Sequence, residues 1–169
     1  MGSLNLNLSA SAEDFKNAWL KAGKPVKPPF KNAIHTTDIA YALCLYRDGP
    51  FQIELYICKP NTETPFHSHP GIESVSLYLT GNLNFGRKDI GFVDLSQYQK
   101  PKENGTHMLL GKSVESGFAA EHAVKIGPEG GAFLIFEKWH TKAPTSVTIN
   151  WEGNLVGEEH ARTIEVANS

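Results

Sequence analysis

The stretch that decides the fold is Asn61-Thr-Glu-Thr-Pro65-Phe66-His67-Ser68-His69-Pro70-Gly71-Ile72-Glu73. Side chains alternate between faces along a strand, so His67 and His69 point the same way and their imidazoles can converge on one ion. Glu73 follows across Pro70-Gly71, a turn that could swing a carboxylate back toward that ion. Two neutral imidazoles plus a carboxylate suit iron, manganese, zinc, nickel or copper better than calcium or magnesium. Alone, a His-x-His pair is as well explained by a structural or surface role.

A second segment adds weight. Gly111-Lys-Ser-Val-Glu-Ser-Gly117-Phe-Ala119-Ala-Glu-His122 brings another histidine to the start of a strand, Ala123 to Ile126. Gly127 to Gly131 then reads as a turn, and Ala132–Glu137 as the next strand.

These two segments together resemble the cupin superfamily. Its first motif is Gly, five residues, His-x-His, three or four residues, Glu, six residues, Gly. Here Asn61 stands at the first Gly, where Asn is the next best residue for a left-handed backbone, and His67, His69, Glu73 and Gly81 follow. The second motif opens at Gly111, carries Gly117 and Ala119 for its Pro and Gly, and delivers His122 in register. Its last position is Ile126 rather than Asn. Seven residues rather than six separate Glu73 from Gly81, and in the longer variant of the motif the carboxylate falls at Ser74. Either a bulge absorbs the extra residue and Glu73 ligates, or the site is three histidines, as in cupins resembling the thiol dioxygenases.

The resemblance covers roughly residues 38 to 140. It implies an all-β fold, a cupin-like double-stranded β-helix (jelly-roll barrel), here with a short N-terminal helix. It also implies one divalent transition metal held by His67, His69, Glu73 and His122, with Fe(II) favoured and Mn, Ni or Zn as alternatives. The implied function is a metal-dependent enzyme, foremost a non-haem iron dioxygenase or related oxidoreductase acting on a small organic molecule. The alternatives are an isomerase, epimerase or lyase on a sugar or small acid, and a small-ligand-binding cupin without turnover. Cupin-like sheets often pair, so a homodimer is a further expectation.

The rest of the chain fits an all-β reading. Ile39 to Arg47 and Phe51 to Cys58 are rich in Tyr, Leu and Ile and are joined by the turn Asp48-Gly49-Pro50. Further strands are expected at Ser74–Leu79, Leu83–Phe85, Gly91–Leu95, His107–Leu110 and Ser146–Trp151. Ser11 and Asp14 form a capping box for a helix whose Phe15, Ala18 and Trp19 share a face, suited to packing outside a sheet. Residues 1–10 read as loose and polar. The domain plan is an N-terminal arm (1–37), a barrel (38–152) and a polar tail (153–169), the tail read as a short helix or as chain without regular structure.

Other candidates for chemistry are weaker. Gln52, Glu54 and Tyr56 alternate with Phe51, Ile53, Leu55 and Ile57 on one strand. An antiparallel sheet ordinarily turns its polar set to water. If this set faces the barrel interior instead, Glu54 and Tyr56 become candidates for acid–base work. His107 lies on a strand near the second motif and is a candidate for a substrate-side role. His35, His140 and His160 read as exposed.

The two cysteines, Cys44 and Cys58, lie in apolar runs and read as buried thiols of a reducing compartment. With 16 basic and 18 acidic residues there is no cationic excess for nucleic acid. No run is long and apolar enough to span a membrane, and the first residues lack the pattern of a signal peptide. The expected setting is cytoplasmic, and the expected partner a small-molecule substrate.

Overall fold

The computed structural model describes residues 4–27, 34–36, 39–68, 72–88, 91–96, 107–110, 121–140, 148–149, 155–157 and 165–166. One helix, α1 (Ala12–Lys21), precedes eleven strands: β1 (Ile34–Thr36), β2 (Ala40–Asp48), β3 (Phe51–Cys58), β4 (His67–Ser68), β5 (Ile72–Arg87), β6 (Gly91–Asp94), β7 (His107–Leu110), β8 (His122–Trp139), β9 (Thr148–Ile149), β10 (Leu155–Gly157) and β11 (Glu165–Val166). All named strand pairs are antiparallel.

Two long strands organise the barrel. β5 and β8 run side by side from Ile72↔Trp139 to Arg87↔His122. The four strands expected at Ser74–Leu79, Leu83–Phe85, His122–Ile126 and Ala132–Glu137 are therefore the halves of these two. Halfway along, the register jumps between Gly81↔Gly131 and Leu83↔Ile126. Here the chain bends. Gly81 has φ +91° and Gly130 φ +67°, conformations that favour glycine. A Cβ on Gly81 would strike the Gly130 carbonyl and the Gly131 Cα, so the two backbones touch.

Beyond this corner each strand changes neighbours. The second half of β8 pairs with β3, which pairs with β2 and then β1. The first half of β8 lies beside the chain leading into β4, through Asn61–Gly127, Thr64–Val124 and Thr62–Ile126 backbone bonds. Both halves cover one core. Phe85 meets Phe133 edge-on with centroids 4.8 Å apart, although the partner of Phe85 in the ladder is Val124. Leu83, Phe85, Val124 and Ile126 from one wall pack with Ala42, Tyr56, Cys58 and Ile135 from the other. Ile126, which stands where the second motif has Asn, belongs to this apolar core.

The helix forms where expected. The Ser11 side chain accepts from the Asp14 N–H, and Asp14 accepts from the Ser11 N–H. Phe15 and Trp19 lie against Phe136 at 5.7 and 5.4 Å between centroids, outside the barrel wall. The start of the chain is less loose than its composition suggests: Leu4, Leu6 and Ala10 pack on this same cluster, and the Leu4 N–H donates to the Tyr46 hydroxyl at 3.2 Å. Apolar burial here outweighs the polar residues between them.

The C-terminal tail also differs from expectation in its described parts. β10 pairs with β9, and β11 pairs with β4, while residues 158–164 lie outside the described residues. Among the described residues no helix is long and apolar enough to cross a membrane.

The corner makes a sharp prediction. Gly81→Ala should lower unfolding free energy by at least about 3 kcal/mol in urea titration, since strain and overpacking combine. Gly49→Ala, at φ +58° with nothing within 4 Å of the new carbon, should cost only about 1–2 kcal/mol.

Candidate functional site

His67 and His122 are register partners on β4 and β8, and their rings lie 4.5 Å apart between centroids. The neighbouring backbone fixes this register. Thr64 donates its N–H to the Val124 carbonyl and accepts the Val124 N–H on its hydroxyl, both at 2.9 Å. Asn61, at φ +58°, adopts the left-handed turn that the first motif requires of its opening residue. Val124 and Ile126 face the barrel core, so alternation along β8 turns His122 inward as well. Both histidines are buried.

The chemistry of the pair is set by one more contact. His67 Nδ1 lies 2.8 Å from the Pro65 carbonyl oxygen. A carbonyl only accepts, so Nδ1 is the donor in this contact, which leaves Nε2 as the ligand atom of the neutral ring. An imidazole oriented in this way is prepared as a metal ligand. Among the described residues no three His, Cys, Asp or Glu side chains come together so as to hold a metal. His69, the third expected ligand, lies outside the described residues, as do residues 111–120 of the second motif. What the structure brings together is therefore His67 and His122.

Glu73 is not brought to this pair. One of its carboxylate oxygens accepts the Ala12 N–H at the start of α1, at 2.7 Å. The other lies 3.2 Å from His140 Nε2. Val75 and Leu77, on the same face of β5, belong to the cluster under the helix, so this face looks away from the barrel interior. The extra residue of the seven-residue spacing is taken up by a register shift between Tyr78 and Thr80, and the seat that Val75 and Leu77 give the helix turns Ser74 and Ser76 inward and Glu73 outward. A carboxylate at a helix N-terminus is well placed electrostatically. His140 is exposed, as expected, but engaged with Glu73.

The polar set of β3 faces inward, against the ordinary arrangement. Gln52, Glu54 and Tyr56 are all buried, whereas Ile57 is 52% exposed. The odd-numbered residues Phe51 and Ile53 instead meet Phe15 and its neighbours under the helix. A sheet face covered by an amphipathic helix must be apolar, and β3 can offer only its Phe51/Ile53 face for that. The even-numbered residues are left for the interior. The signal was available in the apolar stripe of α1, which needs an apolar partner. Tyr56 stacks on Phe133 at 5.2 Å with planes 5° apart. His107 pairs with Leu77 along the backbone, and its side chain lies outside the described set.

Sequence reasoning missed Glu137. It alternates with Phe133 and Ile135 and so shares their inward face. The Gln52 amide nitrogen donates to Glu54 at 3.3 Å and to Glu137 at 3.4 Å, and its oxygen accepts from Arg47 Nε at 2.7 Å. Cys44 lies beside this group. Burial first, then the Glu54 charge, push its thiol up from 9.0 to about 12, with Glu137 adding and Arg47 opposing. Burial alone raises Cys58 to about 12. Both thiols are free and inert at neutral pH.

No protein-family model matches the chain, and no curated protein matches it significantly. Among solved structures it is similar to the DMSP lyase DddQ from Ruegeria pomeroyi DSS-3, at 17% identity, 79% coverage of this chain, 66% of that one and a TM-score of 0.46. It is also similar to an RmlC-like cupin protein from Desulfovibrio desulfuricans, at 16% identity, 57% and 79% coverage and a TM-score of 0.41. A third is an oxalate decarboxylase from Lactobacillus farciminis, at 10% identity, 73% and 33% coverage and a TM-score of 0.47. The chain spans just under two thirds of the lyase.

Two predictions follow from this geometry. Glu73→Ala should destabilise the protein by about 1–3 kcal/mol, because the Ala12 N–H loses its acceptor, and should leave metal content unchanged in elemental analysis. Loss of metal at unchanged stability would return Glu73 to the ligand set. The thiols set the second. A folded pKa raised above the unfolded one gives stability that is complete below about pH 9 and lost as pH climbs toward 12. Replacing Cys58 by Ala should therefore flatten the fall of the urea midpoint between pH 8.5 and 10.5, by up to about 1.4 kcal/mol per pH unit.

The structure is an antiparallel jelly-roll barrel with one short helix laid on its outer wall.

Proposed function

We propose that this protein is a metal-dependent enzyme acting on a small organic molecule, with a divalent transition metal, iron(II) first, held by His67, His69 and His122. The observation that carries the reading is the buried His67–His122 pair with His67 Nδ1 fixed by the Pro65 carbonyl. The donor set fits: imidazole nitrogen is the ligand type that iron, nickel and zinc share. With Glu73 committed to α1 and His140, the set is all-neutral. Bound iron would supply dioxygen activation, which makes an oxidoreductase of the dioxygenase kind the leading chemistry.

The chain's own residues do the rest. The Pro65 carbonyl holds the His67 ring in one tautomer and one orientation. Val124, two residues along β8 from His122, packs with Phe85 and Phe133 in the apolar core. A second reading is favoured by the inward-facing Glu54. A buried carboxylate inside the barrel could move a proton in a lyase or isomerase reaction, with Tyr56 beside it.

Elemental analysis of untagged protein tests the site. About one equivalent of metal is expected in the wild type, with at least a tenfold loss of affinity in His67→Ala and in His122→Ala. Iron together with oxygen uptake on a panel of small acids and thiols supports the oxidoreductase. Metal-dependent turnover without oxygen uptake, abolished in Glu54→Gln, supports the lyase or isomerase. A wild type that neither contains nor takes up metal overturns both.

A further inference from the structure

His67 and His122 face the barrel interior, so the residues beside them, Phe66 and Ala123, face outward. Ala123 belongs to a row that crosses the outer face. Its register partner on β5 is Gly86, and the partner of Gly86 on β6 is Phe92. From β6 to β4 the row reads Phe92, Gly86, Ala123, Phe66. The neighbours Val93, Phe85 and Val124 all pack in the core on the inner side, which confirms the outward face of the first three.

Two small residues thus lie between two aromatic ones. Adjacent strands are about 4.8 Å apart, so the two phenylalanines start about 14 Å apart along the row. Their rings nonetheless meet, with centroids 5.7 Å apart, the spacing of an aromatic pair. Gly86 provides the room. A Cβ there would lie 2.8 Å from the Phe92 ring, so the ring rests on the glycine backbone. Ala123 is buried although it faces outward. Lys125, the next outward residue of β8, holds its ammonium 4.2 Å from the Phe92 ring centre.

β4 has few backbone means of holding its place. It is two residues long, and among the described residues His67↔His122 is its one register pair with β8. Just before it, Glu63 bridges to Lys125, one residue out of step with that pair, so the ladder is interrupted ahead of the histidine. On its other edge β4 meets β11, itself two residues long. We propose that Phe92 is a positioning residue, which through Phe66 clasps β4 to β8 from outside and so holds His67 against His122. The inference rests on reading that pair as part of a metal centre. Phe92 acts from the far side of the sheet, away from any bound ion or substrate.

The test titrates the full chain with cobalt(II), whose visible absorption reports the geometry of its ligands. Phe92→Ala should weaken cobalt binding at least tenfold, the size of effect typical of residues that orient ligands, and should shift the visible band. Phe92→Tyr keeps the ring and should bind as the wild type does. Gly49→Ala, whose cost in stability falls far from the row, should keep both affinity and band. Unchanged cobalt affinity in Phe92→Ala, or an equal loss in Gly49→Ala, overturns the assignment. Metal-free protein gives an independent reading. Hydrogen exchange at the Thr64 and Val124 amides, which bond between the β4 segment and β8, should quicken at least tenfold in Phe92→Ala, and unchanged exchange also overturns the clasp. A wild type that takes up no cobalt sinks the metal centre, while exchange still decides whether Phe92 holds β4 in place. Should Phe92→Ala fail to fold, Gly86→Ala, whose methyl would displace the same ring, replaces it in both measurements.

Discussion

Everything in this molecule hangs on two backbones touching without side chains between them. At the corner Gly81 lies against Gly130 and Gly131 closely enough that a Cβ there would overlap a carbonyl. That contact lets β5 and β8 bend together, and the bend turns one long ladder into two walls around a core. Just beyond it, a second register shift between Tyr78 and Thr80 resets the alternation of β5. Ser74, Ser76, Ile135 and Glu137 face in, while Glu73, Val75, Leu77 and Phe136 face the helix. Removing the register shift between Tyr78 and Thr80 would exchange the two sets on β5.

The barrel thereby acquires a graded interior. Apolar side chains fill the corner end, with aromatic contacts such as Phe85 on Phe133. The polar groups gather at the other end, His67 and His122 on one side and Gln52, Glu54 and Glu137 on the other. Such a gradient is costly to the fold unless the polar groups are bonded, and Thr64, Pro65, Gln52 and Arg47 supply bonds to them or to their strands. The outer wall balances it with an apolar layer of its own, under α1.

Much of this was legible in the chain. The Asp48-Gly49-Pro50 turn, the strand Phe51–Cys58, the Ser11–Asp14 capping box and the pairing of the His67 segment with the His122 segment all rest on local chemistry or on spacing. What was not legible depended on which face a strand shows, and that is decided by distant partners. Glu54 faces in because Phe51 and Ile53 are claimed by a helix some forty residues earlier in the chain. Glu73 faces out because its neighbours Val75 and Leu77 are claimed by the same helix, although its motif position suggested a ligand. Glu137 escaped notice because a carboxylate between Phe136 and Lys138 reads as a surface residue until alternation is followed through to the far end of β8.

The docking of α1 has a consequence for how the chain is made. Phe15 rests on Phe136, and the Ala12 N–H bonds to Glu73 sixty-one residues away. The helix leaves the ribosome ahead of both β5 and β8, and its seat is not complete until β8 has been synthesised. At 5–20 residues per second that interval is on the order of ten seconds. During it, the apolar stripe of Phe15 and Trp19 has no native partner to cover it. The nascent chain thus carries an exposed adhesive face throughout that interval, a natural point of engagement for chaperones during translation.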